Sequence, residues 1–494
     1  MTSFPILSPM TRLKQIGPLI LRTLGRRLRI PPQRTLTYWR QHLDELPAFV
    51  QQTPVAVRAI RLLGPLDWEH FPERELQCCW TRAPVPYAPF VAACLIKIDQ
   101  HLPHLSDLRQ FLVDHPALVW ALSFPLAPSR QFPWGFDADR SLPTARHFTR
   151  LLRTLPNAAL QYLLGDSVHL LQAELKGKGH TLGQCVAVDT KHILAWVKEN
   201  NPKAYLRDRF DKGQPPAGDP DCRLGCKRRH NQRAASDPPA TPTANPVPAN
   251  TLAVGEFYWG YASGVVATKV PGYGEFVLAE LTQPFDQPDV AYFFPLLAAT
   301  QQRLGFRPKF AALDAAFDAF YVYEYFHTED GQGFAAVPFA ERGGHTRRTF
   351  SADGLPLCDA GLPMPLKYRF TDRSTLVEHE RGRYVCPLLF PQPSGETCPI
   401  QHARWSQGGC VTTMPTRIGA RLRYTLDRDS EEYAQVYKQR TANERINSQA
   451  VELGIERPKL RNGQAIANQN TLIYILINLR ALQRLQQLPS HVDA

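Results

Sequence analysis

Two stretches of the chain join an unbroken apolar run to an abrupt carboxylate. Cys185-Val186-Ala187-Val188-Asp189-Thr190 and Lys309-Phe310-Ala311-Ala312-Leu313-Asp314 both read as buried strands that close on Asp. An acid where a rigid strand leaves a sheet suits a metal ligand, and two such acids suit a hard cation such as Mg²⁺. An Asp in this position is equally a turn former or a helix N-cap.

The patterning elsewhere predicts the elements around these strands. Phe90, Ala93, Cys94, Ile96 and Lys97 fit one helix, and Ser106 is placed to cap the next, with Leu108, Phe111 and Leu112 beneath. Ser141 to Thr144 reads as a further helix start. The segment after it is two-faced: Arg146, Arg150 and Arg153 fall on one side, and Phe148, Leu151, Leu152 and Leu155 on the other. Such an arginine stripe fits DNA phosphates or a solvated face. Short β-branched and aromatic runs follow at 257–267 and 276–281, with Gly272 to Gly274 as a turn. Asp289 to Leu304 predicts a helix, Phe317 to Phe326 another, and Gly333 to Phe339 a strand. Leu472, Ile475, Leu476, Leu479, Leu482 and Leu485 mark a terminal helix with an apolar stripe. Residues 1 to about 80 mix Trp39, Trp68 and Trp80 with prolines and charges, and predict loosely packed helices.

Two segments break the pattern. Residues 207–252 carry a cluster of Arg and Lys and then a Pro-, Ala- and Thr-rich stretch, and predict a basic, disordered loop. Cys222, Cys226 and His230 in it have C-x3-C-x3-H spacing, one ligand short of a zinc site. Residues 341–425 are rich in Gly, Pro and Arg with short alternating runs, and predict a β-rich insertion. It holds Cys358, Cys386, Cys398 and Cys410, spaced singly. Without a C-x2-C pair they read as free thiols rather than as a structural zinc site.

Composition narrows the partners. The 494 residues carry a net charge of +12, which favours a polyanion. Ten dispersed cysteines predict a reducing compartment. Arg12, Lys14, Arg22, Arg26, Arg27 and Arg29 imitate a transit peptide, but Pro18, Pro31 and Pro32 interrupt them and an amphipathic arm is the better reading. The apolar run Thr471 to Leu479 is too short to span a bilayer, so no membrane partner is expected.

A third acid completes the picture. Tyr437, Arg440 and Glu444 lie at i, i+3 and i+7 in a helical stretch from Glu431 to Asn447, and share one helix face. Two strand-end acids followed by this triplet resemble the DDE transposases of bacterial insertion sequences. The likeness is to the branch whose third acid lies in a Tyr-x2-Arg-x3-Glu-x6-Lys helix. The final Lys position holds Val451 here, a departure that touches a DNA contact rather than the acids. The resemblance covers roughly residues 85 to 488, in layout more than in close sequence.

That resemblance implies an α/β fold: a ribonuclease H-like mixed sheet flanked by helices. A helical DNA-binding region (1–165) precedes the catalytic domain (180–340), the β-rich insertion (341–425) interrupts it, and residues 426–494 complete it. It implies Asp189, Asp314 and Glu444 as ligands of two Mg²⁺ or Mn²⁺ ions, and Tyr437, Arg440, Arg146, Arg150 and Arg153 as DNA contacts. The partners implied are double-stranded DNA, as terminal inverted repeats and target, and a second copy when assembled on DNA. The location implied is the bacterial cytoplasm, on the nucleoid. A structure-selective nuclease of the same fold and a catalytically silent DNA-binding descendant are the competing readings.

Overall fold

The computed structural model describes residues 34–74, 86–132, 135–227, 256–328, 332–340 and 348–488. The basic N-terminal arm, Trp80, His230 and the Pro-rich stretch 234–251 lie outside them. Helices α1 (Pro54–Leu63), α2 (Tyr87–Asp99), α3 (Leu105–Asp114), α4 (Ala145–Thr154) and α5 (Asn157–Gly177) precede the first strand. The described residues 34–74 are not loosely packed, since Ile60 and Leu63 are fully buried. Helix α3 starts before Ser106, because His104 and Asp107 form a reciprocal capping box at its entry. Helix α4 follows the two-faced pattern: Thr144 caps it, Phe148, Leu151 and Leu152 are buried, and the three arginines are exposed. Helix α5 runs across residue 165, where the helical region was expected to end.

The main sheet contains β1 (Cys185–Leu194), β2 (Arg223–Lys227), β3 (Glu256–Val270), β4 (Gly274–Pro284), β5 (Phe310–Ala312) and β6 (Phe334–Ala336). Its order is β2-β3-β1-β5-β6, and β4 pairs with the rest of β3 beyond β2. β1 to β4 are joined by antiparallel pairing, and β1, β5 and β6 run parallel. The fold is therefore mixed α/β, with helices on both faces of a mixed sheet. Helices α6 (Phe293–Leu304) and α7 (Phe320–Phe326) connect the later strands. A second, three-stranded antiparallel sheet follows, made of β7 (Leu366–Asp372), β8 (His379–Val385) and β9 (Val411–Pro415). The chain ends its described course in α8 (Ile418–Thr425), α9 (Glu431–Tyr437), α10 (Thr441–Glu452) and α11 (Gly463–Gln487).

The expected run 257–267 forms one strand, β3, with Gly260 and Gly264 inside it. Two expectations change. Part of the expected loop 207–252 is ordered, and Arg223 and Lys227 sit in β2 against β3. The Cys222 thiol there is buried and donates to the Asp219 carbonyl at 3.1 Å. Helix α11 is buried on all sides rather than along one stripe, and Asn468, Gln469, Asn470, Thr471 and Asn478 are buried with its leucines.

Strand periodicity sorts side chains into two cores. Ile193, Val265 and Ala267 pack with α10, α11 and the N-terminal helices. Val186, Val188 and Val266 pack with α6 and α7 on the other face. Buried amides join the first core to the sheet. Asn478 of α11 donates to the Val277 carbonyl at 2.8 Å and accepts from the Val277 N–H at 2.9 Å. Leu278 is an extra residue in β4, opposite the Val266/Ala267 step of β3, and Arg303 takes its carbonyl at 2.7 Å.

The doubly bonded Asn478 yields a prediction. Asn478→Leu fills similar space but leaves the buried N–H and C=O of Val277 unpaired. Each such group costs ~1–3 kcal/mol. Chemical denaturation is expected to show a loss of ~2–5 kcal/mol, with faster amide exchange at Val277. Unchanged stability would remove the pair from the forces holding α11 to the sheet.

Candidate active site

Parallel pairing places two of the expected acids side by side. Ala187 of β1 is the register partner of Ala312 of β5, and this is the last pair between the two strands. Asp189 and Asp314 each stand two residues beyond it. Asp314 leaves its strand as expected, whereas β1 continues along β3 as far as Leu194, so Asp189 lies mid-strand. It faces an opening because β5 has ended, not because its own strand has. Its position in the alternation directs it to the side of the sheet that carries α10 and α11.

The third-acid segment covers this opening. The expected single helix is α9, a 3-10 turn at Lys438–Arg440, and α10. The tighter turn changes the spacing between Tyr437 and the residues after it. Tyr437 stacks on Tyr433 with ring centroids 5.8 Å apart. Arg440 lies near enough to both aspartates to oppose their charge. One to two turns later, Asn447 donates to Asp189 Oδ2 at 3.1 Å. Glu444 lies between Arg440 and Asn447 in sequence and shares their face. It is exposed and pairs with Arg440 at 3.4 Å. Asp189 and Asp314 are thus brought together, and Glu444 is held one ion pair away from them. Among the described residues, no three His, Cys, Asp or Glu side chains are close enough to hold a metal ion.

Asp289 is a fourth acid that the sequence analysis treated only as a helix start. It accepts from Thr190 Oγ1 at 2.7 Å and raises the pKa of both Asp189 and Asp314. Its approach depends on Gly264, the register partner of Thr190. A Cβ on Gly264 would meet the Tyr292 ring at 2.4 Å, and Tyr292 belongs to the same short 3-10 turn as Asp289.

The electrostatics favour a cation. Burial pushes the Asp189 carboxyl up to about 6; the Thr190 N–H opposes this, Asp314 adds to it, and Arg440 offsets part. Burial also raises Asp314, against a hydrogen bond from the Ala316 N–H. That bond, 2.9 Å to Oδ1, makes Asp314 the cap of a 3-10 turn as well as a member of the acid pair. Asn447, which donates to Asp189, has its Oδ1 buried without a donor among the described residues. Two desolvated carboxylates beside that free amide oxygen fit Mg²⁺ or Mn²⁺.

The remaining sequence candidates separate. Arg146 and Arg153 line a surface cleft away from the acids, while Arg150 is outside it and contacts His147 Nδ1 at 2.9 Å. Val451 is exposed. In the insertion, Cys410 is within hydrogen-bonding reach of Cys386 and Cys358, and burial foremost pushes its thiol up to about 12. All three, and Cys398, are free thiols.

The raised Asp189 pKa has a sign that can be measured. Between its unfolded value of about 4 and its folded value of about 6, only the folded state holds the proton. Stability therefore falls as pH rises through that window and stays lowered above it. Asp189→Asn removes the penalty. Without divalent ions at pH 7.5, the variant is expected to be ~1–3 kcal/mol more stable than wild type, with the gap closing at pH 4. Thermal unfolding at both pH values measures this, and a gap that does not depend on pH would contradict it. The chain matches no family model and no curated protein, so the reading of this site rests on its geometry and chemistry.

Proposed function

We propose that the chain is a DDE transposase with a ribonuclease H-like catalytic sheet, cutting and joining the DNA ends of an insertion sequence. The observation that carries this is the Ala187–Ala312 register, which sets Asp189 and Asp314 side by side under the helix face of Arg440, Glu444 and Asn447. The strand order supports it: four strands joined by antiparallel pairing, the first of which also pairs in parallel with β5.

Asp189, Asp314 and Glu444 would hold the ions, which supply a deprotonated water or 3′-hydroxyl at neutral pH and stabilise the leaving oxygen. The protein's own groups prepare the site. Asn447 fixes the orientation of the Asp189 carboxylate. Arg440 presents forked donors that suit a phosphate. A phosphate that engages Arg440 competes with its 3.4 Å pair to Glu444 and so releases that carboxylate towards the aspartates. Substrate binding and assembly of the acid triad are in this way one event. The partly exposed Tyr437 lies beside Arg440 and adds a hydroxyl contact to the same backbone. Joining two ends calls for two copies of the chain on the DNA.

Glu444→Gln tests the reading. It keeps size and hydrogen bonding but removes the ligand charge, so Mg²⁺-dependent nicking of a terminal-repeat duplex is expected to fall ~10²–10³-fold. Binding is expected to persist. Equal cutting by the variant removes Glu444 from the site. A wild type that binds but never cuts supports the silent DNA-binding protein, and one that cuts without joining supports the nuclease.

A further inference from the structure

A cleft of about 570 Å³ opens between the N-terminal helices and the segment joining α10 to α11. Lys97 of α2, Arg146 and Arg153 of α4, and Arg457, Lys459 and Arg461 of the joining segment all line it, with Glu452 as its one carboxylate. None of the six cations makes an ion pair among the described residues. Arg461 is braced rather than neutralised: its guanidinium lies 4.9 Å from the Trp196 ring centroid and donates to the Trp196 carbonyl at 3.3 Å. Six unpaired cations in one concavity concentrate positive potential and call for an anion.

We propose that this cleft holds the phosphodiester backbone of duplex DNA beside the segment being cut. The identity of the polyanion rests on the transposase reading above; the cleft itself does not include the acid site. Arg146 and Arg153 are separated by ~10 Å along the helix axis, more than one phosphate ion can bridge, whereas successive phosphates of a strand can meet both. A single-stranded path would need a series of stacking aromatics. Here Trp196, 50% exposed, is the only Trp, Tyr or Phe among the lining residues, and Arg461 lies over it.

Strand β1 links the two sites. It runs from Asp189 to Leu194, its extended course is prolonged by the Ala195 N–H to the Trp259 carbonyl, and Trp196 is in the cleft. At ~3.3 Å per residue this is ~20 Å, or ~6 base pairs of duplex at 3.4 Å each. The joining segment is tied to the same strand. The Leu194 N–H donates to the Glu456 carbonyl, and Lys191 pairs with the Glu456 side chain at 2.6 Å. The spacing between cleft and acids is thus set by a strand, not by a flexible loop.

The test is fluorescence anisotropy with a terminal-repeat duplex across a salt series. The full-length chain and the variant Arg146→Ala/Arg153→Ala/Arg457→Ala/Lys459→Ala are compared. If each residue neutralises one phosphate, the slope of log affinity against log salt is expected to become shallower by ~3–4, with binding weakened at least ~100-fold at low salt. Arg61→Ala, an exposed cation of α1 outside the cleft, is expected to change neither. Single charge reversals, Arg146→Glu and Lys459→Glu, give the same direction if the combined variant does not fold. Hydroxyl-radical protection is expected to extend ~6 base pairs from the nick. Unaltered slope and affinity in folded cleft variants overturn the proposal, as does a loss confined to single strands or to an acidic peptide. A wild type that nicks while the cleft variants bind unchanged refutes the cleft alone. Binding that depends on the cleft, in a protein that never nicks, refutes the catalytic reading and leaves the cleft standing.

Discussion

An edge strand must do something with the backbone groups that face away from its sheet, and in this chain β4 hands them to side chains. Asn478 takes both polar groups of Val277, and Arg303 takes the carbonyl of the extra residue Leu278. No further strand can add there, and helix α11 is fixed against the sheet by bonds as directional as a ladder. The same helix reaches the other way, where Asn468 donates to the carbonyls of Leu152 and Leu155 and Arg480 pairs with Asp99. Beside it, the fully buried Glu280 is pushed up to about 7 by burial while Thr471, Arg303 and Gln161 hold it. The N-terminal helices, the sheet and the segment over the aspartates are oriented by this one buried, partly polar helix.

The acid pair and the basic cleft are opposite solutions to the same electrostatic problem. Around Asp189 the chain gathers carboxylates in a desolvated place, with Arg440 as the opposing charge. In the cleft it gathers cations and offers only Glu452. Neither arrangement lowers the energy of the folded chain by itself, and each is relieved by a partner of the other sign. On the transposase reading proposed above, a duplex at the cleft and divalent ions at the acids would relieve both. The 3.4 Å pair between Arg440 and Glu444 would then stand between these demands, because each partner would gain a better one.

What the sequence showed and what it concealed divide along physical lines. Asp189 and Asp314 were legible because the signal is local: an apolar run, then an acid. The two-faced helix α4 was legible for the same reason. Asp289 was not, since its place depends on Gly264 admitting the Tyr292 ring, a contact between segments far apart in sequence. The role of Asn447 was hidden likewise, because an amide in the middle of a helix carries no mark of the strand it will bond. Gly260 and Gly264 are places where another group presses on the strand. A Cβ on Gly260 would stand 2.1 Å from the Ile193 carbonyl oxygen. The polar positions of α11 suggested a solvated face, yet they are buried because distant backbone groups need them. Glu444 was legible as a helix-face acid, but its pairing with Arg440 in place of the aspartates could not be read from spacing alone.

The bond between Asn478 and Val277 spans 201 residues, and this has a bearing on how the protein is made. Synthesis at about 5–20 residues per second leaves roughly 10–40 s between the two partners. Throughout that interval the nascent chain carries β4 with its outer edge unmet and the N-terminal helices without their buried companion. Such an edge is a template for pairing with other chains. The helix that blocks it also follows directly on the segment that covers the aspartates, so closing the fold and completing the site coincide in time. A ribosome-bound chain is therefore at once most prone to association and without a completed acid site, and both conditions end with the same helix.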